Sequence, residues 1–164
     1  MRVLFMDAGG DFLIDLAMRC QDYGHDVKYY KAPIKPGVQS PAGKGLIDIV
    51  TDLAAVQGKW IHWSELCILA DNTTYMQMAD AWRSLGHKVF GCNVPGAAWE
   101  LEREIGQAVM RKTGLPLIPS QVFHDYPTAL AYVEKLGVPM VSKPNGAAAT
   151  ENKALSYVAH DAAD

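Results

Sequence analysis

The chain has 164 residues, 49% of them hydrophobic and 20% charged, the make-up of one ordinary globular domain or two small ones and not of a disordered segment. Lys and Arg number 15 against 18 Asp and Glu, for a net charge of −3, and no basic cluster stands out, so nucleic acid is not an expected partner. No uncharged apolar run reaches the ~18 residues of a membrane span, and the opening run stops at Asp7, too short for a signal-peptide core, so a cytoplasmic protein with small-molecule partners and no membrane partner is expected.

Residues 2–6 are a short run of strand formers that ends in Asp7-Ala8-Gly9-Gly10. Leu13, Ile14, Ala17, Met18 and Tyr23 then recur at helical spacing up to Gly24, a residue that accepts the left-handed conformation closing a helix. Residues 27–30 read as a second strand. Strand, Gly-rich turn, helix and strand make the start of a βαβ unit, which calls for a parallel sheet. Pro33, Pro36, Gly37, Ser40, Pro41, Gly43 and Gly45 mark residues 32–45 as loop. A short strand over 47–50 and a short helix over 53–57, closed by Gly58, come next. The clearest buried strand is 66–70, Leu-Cys-Ile-Leu-Ala. It runs into Asp71-Asn72-Thr73-Thr74, where Asn72 or Thr73 suits a helix cap. Tyr75, Met78, Ala79 and Trp82 predict an amphipathic helix ended by Gly86, followed by a strand over 88–90. Tyr23-Gly24-His25-Asp26-Val27 is echoed by Leu85-Gly86-His87-Lys88-Val89, an echo of helix-end chemistry and not a metal-binding His pair.

Composition shifts over 91–96, which places a first domain at 1–96 and a second at 97–164. The second opens with a long predicted helix over 97–113, with Leu101, Ile105, Ala108 and Val109 on one face and Gly114 as stop. A strand over 121–123, a helix over 126–136 ended by Gly137, a strand over 140–143, a Pro144-Asn145-Gly146 turn and a strand over 153–158 complete the expectation.

Three features could carry chemistry. Gly9 and Gly10 sit at a strand–helix junction, where small residues let backbone approach a phosphate at a helix N-terminus, although a plain turn has the same look. Asp71 and Asn72 follow the best strand, at the end where open α/β sheets bind ligands. Lys143 leaves a buried strand beside a turn, as a phosphate-binding lysine does. No nucleophile elbow, H-E-x-x-H or Walker A sequence is present, so no catalytic residue is assigned. Cys20, Cys67 and Cys92 are odd in number and far apart, which excludes a disulfide framework or CxxC-type zinc site. Trp60 and Trp63 flank His62 in an aromatic patch best read as core or interface packing.

The order of these pieces resembles the ATP-grasp ligases, phosphoribosylamine–glycine ligase above all. The resemblance rests on residues 2–10, 82–91, 99–116 and 123–146 and is weakest over 32–65. It implies an α/β fold: a Rossmann-like pre-ATP-grasp domain with a parallel sheet, then an incomplete first part of the ATP-grasp α+β domain. It implies ATP and Mg²⁺ as cofactors and the joining of a carboxylate to an amine through an acyl phosphate, as in purine biosynthesis. It puts Arg103, where a Lys is typical, and Lys143 at the nucleotide, and Gly9, Gly10, Asp71 and Asn72 in the acceptor pocket. The chain departs from the family where Asp11-Phe12-Leu13 replaces an Arg-Glu-His run, Asp71-Asn72 a Pro-Glu pair, and residues 149–153 a Gly-Lys-Gly lid. The second ATP-grasp subdomain with its Mg²⁺ carboxylates is not expected within these 164 residues. The expectation is therefore the N-terminal portion of a diverged ligase, with a non-catalytic binding module and half of a sugar-nucleotide transferase as alternatives.

Overall fold

A computed structural model describes residues 1–145 and 156–160. The chain divides into two compact units, Met1–Ala97 and Ala98–Asp164.

The first unit is a five-stranded parallel sheet in the order β3-β2-β1-β4-β5. Its strands are β1 (Arg2–Asp7), β2 (Asp26–Lys31), β3 (Ile49–Val50), β4 (Leu66–Leu69) and β5 (Val89–Phe90). β1 is central and buried on both faces from Val3 to Asp7, as a parallel sheet covered by helices requires. Alternation along the strands splits the core in two. Val3, Phe5, Val27 and Tyr29 pack with Ala17 of α1 (Ile14–Asp22). Leu4, Met6, Tyr30, Cys67 and Leu69 pack with Ala79 and Trp82 of α4 (Met76–Ser84). The helices that follow β1 and β4 therefore cover opposite faces, and the chain changes direction between these two neighbouring strands.

Gly24 and Gly86 close α1 and α4 in the same way, at φ 80° and 89°. The amide of His25 donates to Cys20 and that of His87 to Trp82, both at 3.0 Å, which makes the sequence echo a helix-ending turn used twice. Gly58 does not end a helix. The segment α2 (Leu53–Ala55), a π-helical turn (Val56–Trp60) and α3 (Ile61–Trp63) runs straight through it. Val56 and Ile61, 0% and 1% exposed, anchor the segment on the sheet and outweigh the ~1 kcal/mol cost of a helical glycine.

α5 (Val94–Leu101) starts on two side-chain acceptors: Asp80 takes the Val94 amide at 2.9 Å and Asn93 that of Gly96 at 2.7 Å. The single helix expected over 97–113 is two. Glu102 is extended, at φ −115° and ψ 98°, and α6 (Arg103–Lys112) begins after it. Gly106 permits the break, because a Cβ there would lie 2.3 Å from the Trp99 carbonyl oxygen. Residues 121–123 form no strand, since no described strand lies beside them to pair with. α7 (Tyr126–Leu136) is capped by Asp125, which accepts from Thr128 at 2.9 Å, and is closed by Gly137 at φ 60°. β6 (Met140–Ser142) and β7 (Tyr157–Ala159) pair antiparallel, with Met140 opposite Ala159. β7 falls at the end of the strand expected over 153–158. The lid replacement at 149–153 lies outside the described residues.

Candidate functional site

The β1–β4 pairing sets Met6 opposite Leu69, with the Ala70 amide donating to Met6 at 2.8 Å. The turns that leave these strands, 8–12 and 71–74, are thus neighbours at the carboxyl edge of the sheet. This is the switch point at which open α/β sheets place ligands. The structure therefore brings Gly9, Gly10, Asp71 and Asn72 to one edge.

Asp7 organises the first turn. It is fully buried. One carboxylate oxygen accepts from the amides of Gly9 and Gly10 at 2.7 and 2.8 Å. The other accepts from Phe12 at 2.9 Å and from the Tyr29 hydroxyl. Burial and this bond to Asp7 push the Tyr29 phenol well above its ordinary value. Gly9, at φ 103°, packs with its Cβ position 3.3 Å from the Ala32 carbonyl, so the turn needs both the freedom and the smallness of glycine.

Lys31 ends β2 beside Asp7 and is 1% exposed. Its ammonium meets the Asp11 carboxylate at 2.5 Å and the carbonyls of Ala42 at 2.6 Å and Ser40 at 3.5 Å. The Ser40 hydroxyl also donates to Asp11, which holds the left-handed φ of 58°. Burial works against ionisation of Asp11, but the bonds from Lys31 and Ser40 outweigh it and hold the carboxyl below its ordinary value. Lys31 thus ties the loop after β2 to the Gly-rich turn.

In the second turn Asp71 accepts from Thr73 at 2.6 Å and Thr74 at 2.5 Å. Burial raises its carboxyl, but these bonds outweigh that effect and hold it below the ordinary value. The N-cap position of α4 is Tyr75, later than the Asn72 or Thr73 expected from the sequence. Tyr30 and Tyr75, buried on α4's side of the sheet, meet edge to face at 6.1 Å.

In the second unit Arg103 opens α6 and Lys143 follows β6, both exposed. One side chain ties their segments together. Asn145 accepts the Arg103 amide at 2.7 Å and faces Glu104 at 3.4 Å, which supplies the cap that Glu102 does not. Two exposed cations on joined elements suit a polyphosphate by charge. Among the described residues no group of three or more His, Cys, Asp or Glu could hold a metal, so a Mg²⁺ ligand set is not found there. His87 packs its ring on His62, 5.1 Å away, and not on His25. Lys28 sits 4.2 Å over the Trp60 ring, which makes the aromatic patch a packing feature of α2–α3. No described helix is long and apolar enough to cross a membrane.

Asp7 and Lys31 organise this edge, and the sequence alone assigned neither of them a role. The signal was a charge closing an apolar run, present in both strands.

No family model matches the chain. Phosphoribosylamine–glycine ligase of Listeria innocua is 36% identical over 72 residues, 44% of this chain and 17% of that enzyme. The ligase of Ralstonia nicotianae is 31% identical over 85 residues, 52% of this chain and 20% of that enzyme. Among solved structures, N5-carboxyaminoimidazole ribonucleotide synthetase of Thermotoga maritima superposes with a TM-score of 0.69 at 14% identity, covering 100% of this chain and 42% of that one. The synthetase of Staphylococcus aureus, complexed with ADP, gives a TM-score of 0.65 at 13% identity, covering 88% of this chain and 39% of that one. The chain thus spans less than half the length of these proteins. In sequence, over about half its length, it is similar to phosphoribosylamine–glycine ligase, and it carries the α/β fold of the ATP-grasp purine ligases.

Proposed function

We propose that this chain is the N-terminal portion of a diverged ATP-dependent ligase that joins a carboxylate to an amine. Residues 1–96 serve as the pre-ATP-grasp domain and 97–164 as the first part of the ATP-grasp domain. The observation that carries the reading is the Asn145 bridge, which links the segments of Arg103 and Lys143 across 42 residues of sequence. Arg103 and Lys143 hold the nucleotide phosphates as point charges. Gly9, Gly10, Asp71 and Asn72 line the crevice for the acceptor amine. ATP supplies the phosphoryl group that activates the carboxylate as an acyl phosphate. Mg²⁺ ligands have no counterpart among the described residues.

The test is calorimetric titration of a non-hydrolysable ATP analogue into the longest form of the protein that its source makes. Lys143→Ala is expected to weaken binding by about tenfold, worth ~1.4 kcal/mol, with an unchanged circular dichroism spectrum. Equal affinity in the variant overturns the assignment.

A further inference from the structure

We propose that the crevice between β1 and β4 admits an acceptor amine that carries no phosphate, and that Asp7 is the residue that sets this selectivity. The inference rests on the ligase reading for the amine; the exclusion of phosphate comes from the geometry of the turn.

A Gly-rich turn after a first strand binds phosphate when its amides point at the anion and its backbone can be approached closely. Here both conditions are already met by the protein itself. The amides of Gly9, Gly10 and Phe12 converge on the one Asp7 carboxylate, at 2.7 to 2.9 Å. That carboxylate is fully buried and receives the Tyr29 hydroxyl as well. It sits where a bound phosphate would have to sit, and it carries the same sign of charge. The bare face of Gly10 is covered too: a Cβ there would lie 2.1 Å from the Phe12 ring, so the ring occupies the approach that glycine leaves open. The nearest strand-end cation offers no compensation. Lys31 has its ammonium engaged by Asp11, Ala42 and Ser40 and is 1% exposed. On the facing turn the Thr73 and Thr74 amides close on Asp71 in the same manner. A phosphate therefore meets two carboxylates and five amides already bonded to them, whereas an amine meets no such conflict.

The test uses the 164-residue chain, isotope-labelled, with inorganic phosphate and ribose 5-phosphate as probes. In the wild type the amide resonances of Gly9, Gly10 and Phe12 should stay in place as either probe is raised into the millimolar range. Asp7→Ser removes the carboxylate and releases the three amides. Provided its spectrum shows a folded unit, its affinity for inorganic phosphate should rise by about tenfold or more, since bonds to a charged acceptor are worth at least one decade of binding. Saturable shifts at those amides in the wild type overturn the proposal whether or not the variant folds. A folded variant that stays silent overturns the role of Asp7. A parallel titration with the non-hydrolysable ATP analogue reports at Arg103 and Lys143. It tests the ligase reading separately, because loss of nucleotide binding leaves the phosphate result at the Gly-rich turn intact.

Discussion

Lys31→Met removes a charge that is 1% exposed while keeping an unbranched apolar stem of similar length. The lost partners are the Asp11 carboxylate at 2.5 Å, the Ala42 carbonyl at 2.6 Å and the Ser40 carbonyl at 3.5 Å. Breaking a buried pair by deleting one member costs about 3–5 kcal/mol, because the other charge is stranded. The Asp11 side chain is 26% exposed and keeps the Ser40 hydroxyl, so part of that penalty is relieved by water. The expected loss is about 2–3 kcal/mol. Urea unfolding, followed through amide resonances of Met1–Ala97 at neutral pH, reads it as a lower midpoint at unchanged slope. The pH dependence gives an independent reading. The folded Asp11 carboxyl is held below its ordinary value. Its contribution is therefore fully present above the unfolded-state pKa and is lost as pH falls through the folded one. The gap between wild type and variant should narrow in acid. A loss of less than about 1 kcal/mol, the range of an exposed pair, or a gap that does not change in acid, would refute the account of Lys31 as the tie between the two loops.

Gly106→Ala sets two effects against each other. Helix propensity alone favours Ala by about 1 kcal/mol, but the new Cβ would lie 2.3 Å from the Trp99 carbonyl oxygen, a backbone atom. Destabilisation of the second unit by about 1–3 kcal/mol is expected from such overpacking, and a thermal melt showing stabilisation would contradict the α5–α6 junction. Asn145→Ala removes the cap on the Arg103 amide, at a cost of about 1 kcal/mol. Hydrogen exchange at Arg103 should quicken several-fold, and unchanged exchange would mean that the bridge is not formed in solution.

Much of the first unit was legible in the sequence because its signals are local. Short apolar runs ending at glycine or polar turns mark β1, β2 and β4, and Gly24 and Gly86 mark the ends of α1 and α4. A parallel sheet was expected from the βαβ pattern, but its order, which brings Gly9, Gly10, Asp71 and Asn72 to one edge, is visible only in the structure. What escaped reading was non-local. Whether Lys31 points into the molecule depends on a loop ten residues on, and nothing in its neighbours' alternation says so. The break at Glu102 is invisible to periodicity, since Leu101 and Ile105 keep helical spacing across it. Its cause is the contact of Gly106 with Trp99 and the cap lent by Asn145. Gly58 misled for the opposite reason: a strong local stop signal was overruled by the burial of Val56 and Ile61. Residues 121–123 carry strand-forming types but no described partner strand.

The cap on α6 also orders events in time. A helix of this length is marginal in water by itself, and its first turn takes its bond from a side chain 42 residues downstream. The loop that must close before that bond forms is long, so its entropy is lost before the contact is gained. During synthesis the start of α6 is made 42 residues ahead of its cap. Arg103 therefore reaches its place only once β6 has been made, which turns the geometry around that arginine into a late step of folding.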